Sequence, residues 1–351
     1  MNHPPISSEP LSTALRHAGI IGLGMSLPPN VITNDDLKKN GLETTNEWIV
    51  QRTGIRERRV TDAETASSDL AIAASLQALE DAGIDAKDLD LVLCATATGD
   101  YVWPATACII QQAIGATKAG AFDLSAACSG FCYGVSTATG FIQSGMMDKI
   151  LVVGVDTLTK HLDWKDRSTC ILFGDGAGAA VLSACAPNEG VLSSVLGADG
   201  SGLKSVWLPA GGTRTPINAE TFTDSASEHD THLQMNGREV YEFAVKIVPQ
   251  TILEALDKAC LRPSDIDLLV MHQANIRILH SAAERFGIAL DRLVVNVDRY
   301  GNTSAASIPI ALREAADSGK LHKGDIVVTM GFGAGLTWGA NVIRWTRDYG
   351  I

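Results

Sequence analysis

Residues 78–93 and 255–270 align without a gap at an offset of 177, about half of the 351-residue chain. Both runs read as the end of an amphipathic helix, a polar turn and a buried strand, entered through Asp88-Leu89-Asp90-Leu91 in one copy and Asp265-Ile266-Asp267-Leu268 in the other. The echo continues: 149–156 resembles 325–331, and after each come a glycine-rich turn and an apolar strand, over 177–184 and 336–345. Several segments repeating in order predict two copies of one α/β unit, 19–190 and 191–351, behind a loose leader at 1–18. Strands alternating with helices predict mainly parallel sheets covered by helices.

Two packed α/β units bury a helix where they meet. The run 124–147 contains no charged residue and is long enough to span a bilayer. Ser125, Ser129, Ser136, Thr137, Thr139, Gln143 and Ser144 make it too polar for lipid, and no basic cluster flanks it. Its small residues suit a helix surrounded by protein on all sides. Junction between the halves is therefore the expected place, although any core helix of a large α/β protein can lack charge.

A formal net charge of −12 argues against a general nucleic-acid binder. The seven cysteines, at 94, 108, 128, 132, 170, 185 and 260, form no even framework and read as free thiols of a reducing compartment. Cys128 and Cys132 are spaced i,i+4, with no partner close enough in sequence to suggest a zinc site. Met1, Pro4, Pro5, Glu9 and Pro10 lie in an opening stretch without the apolar core of a signal peptide, so the cytoplasm is the expected location.

Three polar residues stand where predicted strands run into helices. A strand over 121–124 turns through Ser125, Ala126, Ala127, Cys128, Ser129 and Gly130 into the uncharged helix. A cysteine there feels the positive end of the helix dipole, which favours a nucleophilic thiolate; a packing cysteine is the plainer alternative. A strand over 266–271 ends at His272, at the carboxyl edge of a sheet where ligands bind, or as an ordinary core histidine. A third strand, over 293–297, leads to Asn302, a candidate polar group or a mere helix cap. Since 302 less 177 is 125, the Asn302 and Cys128 corners are approximate symmetry mates. Convergence of the three on one pocket is the hypothesis, with the run Gly331-Phe332-Gly333-Ala334-Gly335 supplying a backbone N–H to an oxyanion. A cysteine hydrolase would need a Gly-x-Cys-x-Gly elbow, which Ala126 replaces here. Gly174, Gly176 and Gly178 precede a strand, whereas a dinucleotide fingerprint opens a helix.

With these motifs in hand, the chain closely resembles the β-ketoacyl-ACP synthase III family of the thiolase superfamily. The resemblance is carried by the run 46–58, which contains Trp48 and Arg52, by Ala126-Ala127-Cys128-Ser129-Gly130-Phe131, and by the run 173–180. His272-Gln273-Ala274-Asn275, Gly301-Asn302-Thr303-Ser304-Ala305-Ala306 and the run 331–339 complete it, so that it covers about residues 19–345. It implies a thiolase-like, five-layered αβαβα fold in a homodimer, using acyl-CoA and malonyl-ACP as substrates and acyl carrier protein as partner. It implies that Cys128 becomes acylated and that His272 and Asn302 hydrogen-bond the malonyl thioester oxygen as CO₂ leaves, with no metal or redox cofactor. The backbone of Cys128 and Ala334 would form the oxyanion hole. Trp48, Arg52 and Arg167 would hold CoA, and Gly237, Asn275 and Arg277 the pantetheine channel or its mouth. Trp103 and Phe332 would bound the acyl pocket, with Trp103 reaching across the dimer.

The sequence departs from familiar members at three positions. Trp103 stands where many relatives have Phe, which suggests a short primer such as acetyl. Glu242 and Glu284 stand where a basic residue would dock the carrier; Arg238, Lys246, Arg277 and Arg285 are the compensating candidates. Neither nucleic acid nor membrane is an expected partner. A degradative thiolase would need a second catalytic cysteine near the C-terminus, and an elongating synthase a second histidine where Asn302 stands. The runner-up is a specialised acyltransferase of secondary metabolism or with an unusual primer; a catalytically silent acyl-CoA-binding protein is the alternative of another class.

Overall fold

The computed structural model describes residues 16–218 and 230–349. One sheet has five strands in the order β1-β7-β6-β4-β5: His17–Ser26 (β1), Leu91–Ala95 (β4), Gly120–Leu124 (β5), Lys149–Asp156 (β6) and Gly176–Cys185 (β7). A second has four, in the order β11-β12-β13-β8: Gly190–Ala198 (β8), Leu268–Met271 (β11), Ile326–Gly333 (β12) and Thr337–Arg344 (β13). Two short pairs, Asn30–Thr33 (β2) with Glu57–Val60 (β3) and Val206–Trp207 (β9) with Gln234–Met235 (β10), decorate this frame.

The internal repeat is a repeat of registers. Leu91 pairs with Ile150, and Leu268 with Val327, each 177 positions on. The first sheet ends at Cys185 and the second begins at Gly190, beside the boundary expected from the repeat. The leader expected over 1–18 lies outside the described residues up to 15, and β1 already begins at His17.

Helix Gly130–Gln143 occupies the middle layer. Its Phe131, Val135, Ala138 and Ile142 are fully buried in one cluster with Leu93 and Val152 of the first sheet, Leu268, Val270 and Val327 of the second, and Ile308 and Ala311 of the neighbouring helix Ser307–Asp317. Burying each large apolar side chain contributes about 1.5–3 kcal/mol, with no solvated face to divide it. Helices Ser67–Ala82 and Thr106–Ala113 cover the outer face of the first sheet, and Gly237–Lys258 and Ile276–Phe286 that of the second. Helix, sheet, helix, sheet and helix make five layers. The uncharged run is thus a 14-residue helix at the junction, and no helix among the described residues is long and apolar enough to cross a membrane.

Two expectations are corrected. The sheets are mixed: β4 pairs in parallel with β5 and β6, and β11 with β12, but β7 is antiparallel to both its neighbours and so is β13. The connection explains β13, because β12 and β13 are joined by the three residues Ala334, Gly335 and Leu336, too few for the crossover that parallel strands require. The third corner also lacks its strand: the run 293–297 makes a single bridge, Leu293 to Leu269, then enters a short helix, Val297–Tyr300. The buried Gln273 amide oxygen accepts the N–H groups of Asn296 (2.9 Å) and Val297 (3.2 Å), which a longer ladder would have used.

Candidate active site

Two short turns, one in each half of the chain, obey the same offset. Ala127–Ser129 leads into helix Gly130–Gln143, and Ser304–Ala306 into Ser307–Asp317. Each turn opens on a non-glycine residue in the left-handed region, Ala127 at φ 44° and Ser304 at φ 51°. The two corners face each other, and Ser304 Oγ donates to Cys128 Sγ across 3.3 Å.

Cys128 opens on a cavity of about 110 Å³ lined also by Thr98, Leu158, His161, Phe173, Leu208 and Ala334. Burial pushes its thiol up to about 12, and the Ser304 hydrogen bond only partly opposes that. Burial therefore favours the thiol, against the thiolate expected of a helix terminus, and the α-helix itself starts only two residues later. Strand β12 presses on the cysteine. A Cβ placed on Gly333 would lie 2.9 Å from both Cys128 Cβ and its backbone nitrogen, so only glycine lets the strand pass.

Asn302 is held by its backbone, donating to Leu172 O (2.8 Å) and accepting from Gly174 N (3.0 Å). Its Oδ1 accepts the Ser304 N–H at 2.9 Å, so the polar group left to the side chain is the Nδ2 donor. His272 is buried, and desolvation pulls its pKa down to about 3, which keeps the imidazole neutral. Its Nδ1 lies 2.7 Å from Ser307 Oγ, which donates to Ser304 O at 2.8 Å. The direction of the His272–Ser307 bond follows the tautomer: with the proton on Nδ1 the ring donates to the hydroxyl, and with it on Nε2 the ring accepts there and keeps Nε2–H as a donor. Phe332 stacks edge-on against the ring, with centroids 5.3 Å apart.

A second cavity, of about 280 Å³, is lined by Trp48, Arg52, Arg167, Gly237, Asn275 and Asn302. The Trp48 ring carries two guanidinium groups, Arg52 at 4.5 Å and Arg167 at 4.7 Å from its centroid. Asn275 caps helix Ile276–Phe286, and its Nδ2 donates to Arg52 O at 3.0 Å. Arg277 is exposed beside Tyr241, 5.3 Å from the ring centroid. Of the residues singled out for a CoA-like ligand, all but Arg277 therefore line one cavity together with Asn302.

Other candidates fall elsewhere. Trp103 is 81% exposed, and neither it nor Phe332 lines the Cys128 cavity of the single chain: Trp103 sits on a projecting loop, and the Phe332 ring is spent on His272. Arg238 is paired with Glu242 (2.8 Å), which neutralises one of the basic docking candidates. Lys246 and Arg285 are exposed, and Arg285 shares a groove of about 350 Å³ with Glu284. Among the described residues no group of three or more His, Cys, Asp or Glu is placed to hold a metal ion, and all seven cysteines are free.

Sequence reading missed four residues here. Ser304 and Ser307 lie inside a motif read only for Asn302, although Ser304 is 177 positions beyond Ala127, a signal the repeat already held. Asp156 was read as the end of a strand. It is fully buried, and its carboxylate accepts the N–H groups of Ala97 (2.8 Å), Thr98 (3.1 Å) and Ala305 (3.2 Å), tying the cavity wall to the Ser304 turn. His161 places an imidazole in an otherwise largely apolar cavity, and no motif marks it.

Profiles of the two parts of 3-oxoacyl-[acyl-carrier-protein (ACP)] synthase III match this chain, one over residues 122–200 and the C-terminal one over 256–345. The β-ketoacyl-[acyl-carrier-protein] synthase III of Desulfitobacterium hafniense strain Y51 is 52% identical over 329 residues, 94% of this chain and 98% of that protein. The crystal structure of the β-ketoacyl-[acyl-carrier-protein] synthase III of Thermus thermophilus superposes with a TM-score of 0.86 at 45% identity, covering 93% of this chain and 99% of that one. The priming β-ketosynthase of the R1128 polyketide biosynthetic pathway superposes with a TM-score of 0.87 at 35% identity, covering 95% and 98%.

Proposed function

The chain belongs to the 3-oxoacyl-[acyl-carrier-protein] synthase III family, and on that premise we infer how its residues divide the condensation. It is an acyl-transferring condensing enzyme: an acyl group passes from acyl-CoA to Cys128, and a malonyl unit on acyl carrier protein then takes it as CO₂ leaves, starting a fatty acid. Cys128 is the nucleophile, and the small cavity in front of it suits a short acyl group such as acetyl. CoA is held at Trp48, Arg52 and Arg167, its pantetheine arm running past Gly237 and Asn275.

Asn302 Nδ2 and His272 meet the negative charge that develops on the malonyl thioester oxygen. Neutral donors suit this step, because a cation there would hold the carboxylate that must leave. Donation by His272 needs a proton on Nε2, a tautomer reached when Ser307 turns its hydroxyl from the Ser304 carbonyl to Nδ1. The backbone N–H groups of Cys128 and Ala334, both at the same cavity, serve the tetrahedral intermediate on the cysteine. No cofactor enters this scheme, and the cytoplasm is the proposed location.

A homodimer completes the proposal. Tyr101, Val102 and Trp103 are 65%, 80% and 81% exposed in succession, an apolar loop that a second copy would cover. The observation that carries the assignment is the continuous set of hydrogen bonds from Cys128 through Ser304 to Asn302, Ser307 and His272.

Intact-mass analysis with a panel of acyl-CoAs, followed by malonyl-ACP, tests it against a Cys128→Ala variant. An acetyl adduct absent from the variant and discharged to acetoacetyl-ACP is the expected result; no adduct with any primer overturns the role of Cys128. A second reading, priming for a specialised pathway, is favoured by the acidic Glu242 and Glu284 on the proposed carrier face. Adducts only with longer or unusual primers, or no discharge by malonyl-ACP, would select it.

A further inference from the structure

Ser304 touches the whole catalytic set through three different groups. Its hydroxyl donates to Cys128 Sγ (3.3 Å), its N–H to Asn302 Oδ1 (2.9 Å), and its carbonyl accepts from Ser307 Oγ (2.8 Å), which in turn meets His272 Nδ1 (2.7 Å). The residue is buried and adopts φ 51°, a conformation that L-residues hold only where their surroundings over-determine it. Those surroundings are visible: the buried Asp156 holds the next N–H, of Ala305, at 3.2 Å and is itself hydrogen-bonded to the Ser304 side chain.

We propose that Ser304 is a further catalytic residue, whose hydroxyl stabilises negative charge on the Cys128 sulfur while its main chain holds Asn302 and, through Ser307, His272. The inference rests on the assignment of Cys128 as the acyl-accepting nucleophile. In acylation the Cys128 sulfur forms a bond to the acyl carbonyl, the bond from that carbonyl to the CoA sulfur breaks, and the thiol proton departs on the released CoA thiol. Ser304 neither gains nor loses a proton. Its hydrogen bond strengthens as the sulfur becomes anionic and weakens once the sulfur is a thioester, a poor acceptor, so it favours the charged state specifically. Such a donor matters more here than at a surface cysteine, because burial disfavours the thiolate.

The test compares wild type with Ser304→Ala and Ser304→Gly. Glycine removes the hydroxyl and also accepts the positive φ, so strain in the variant cannot account for a loss they share. Acylation is followed by intact mass with acetyl-CoA, and alkylation of Cys128 by iodoacetamide is followed against pH. Both variants are expected to acylate about 10- to 100-fold more slowly, the range of one hydrogen bond to a developing charge. Their alkylation rates should fall in parallel at neutral pH and regain the wild-type value only at more alkaline pH, a shift that a merely structural role would not produce. Wild-type rates in both variants overturn the proposal, as does a loss confined to Ser304→Ala, which would trace the effect to backbone strain. If wild-type protein takes no acetyl group, the parent reading fails, while the alkylation comparison still decides the role of the hydroxyl.

Discussion

At the residue scale the site is built from neutral polar groups kept from water, and His272 shows the consequence. Its pKa falls from 6.5 to about 3 because burial disfavours the imidazolium. Between those values the unfolded chain binds a proton that the folded chain does not, so this contribution to stability is complete above about pH 6.5 and is lost as the pH falls toward 3. The slope is about 1.4 kcal/mol per pH unit from this residue alone. Urea unfolding of wild type and His272→Asn across that window should show the variant losing stability less steeply on acidification. Parallel curves would mean that the histidine is already protonated when folded. The same residue shows how far a sequence can be read: its place at the end of a strand was legible, but its tautomer depends on Ser307, 35 positions away, which only tertiary contact brings within 2.7 Å.

At the scale of elements, Cys128 is placed by backbones pressed together rather than by its own helix. Strand β12 crosses behind Cys128 so closely that Gly333 has no room for a Cβ. Gly333→Ala should therefore cost about 1–3 kcal/mol of stability, as overpacking of a core usually does. It should also slow acylation of Cys128 by more than about tenfold, because the displaced atoms are the nucleophile and its own N–H. Thermal unfolding and an intact-mass time course measure the two effects separately; wild-type acylation would show that strand and cysteine can part without consequence. The run of glycines at 331–335 was recognisable as a turn motif, and its use as a close approach was not. Nor did local pattern disclose that 293–297 lacks a strand, because its apolar residues suit one; the amide of Gln273, some twenty positions earlier, captures the N–H groups first.

At the scale of the molecule, the Cys128 cavity of the single chain excludes Trp103, while an apolar loop carrying that residue stands exposed. Both facts fit a pocket finished by a second copy. Sedimentation equilibrium should therefore show a dimer for wild type and a weakened one for Trp103→Glu, since a charge buried in an apolar interface is strongly unfavourable. A monomeric wild type, or an equally stable dimer in the variant, would remove Trp103 from the interface. Loss of the partner should also alter primer selectivity, which the acyl-CoA panel reads directly.

The sequence by itself showed the duplication and the uncharged middle helix, and singled out Cys128, His272 and Asn302 by their places where predicted strands run into helices. Those are local or periodic properties: an offset of 177 survives in the apolar pattern, and the absence of charge over 124–147 has one physical meaning inside a large α/β protein. Tertiary structure alone decided the mixed strand directions, the burial of the Cys128 thiol and the convergence of Ser304, Asp156 and His161 on the site. Strand direction depends on where the chain brings each strand back into its sheet, and desolvation on everything that surrounds a group. The hydrogen bonds of Ser304 join residues up to 176 positions apart, and no pattern of neighbours along a chain encodes a distance of that kind.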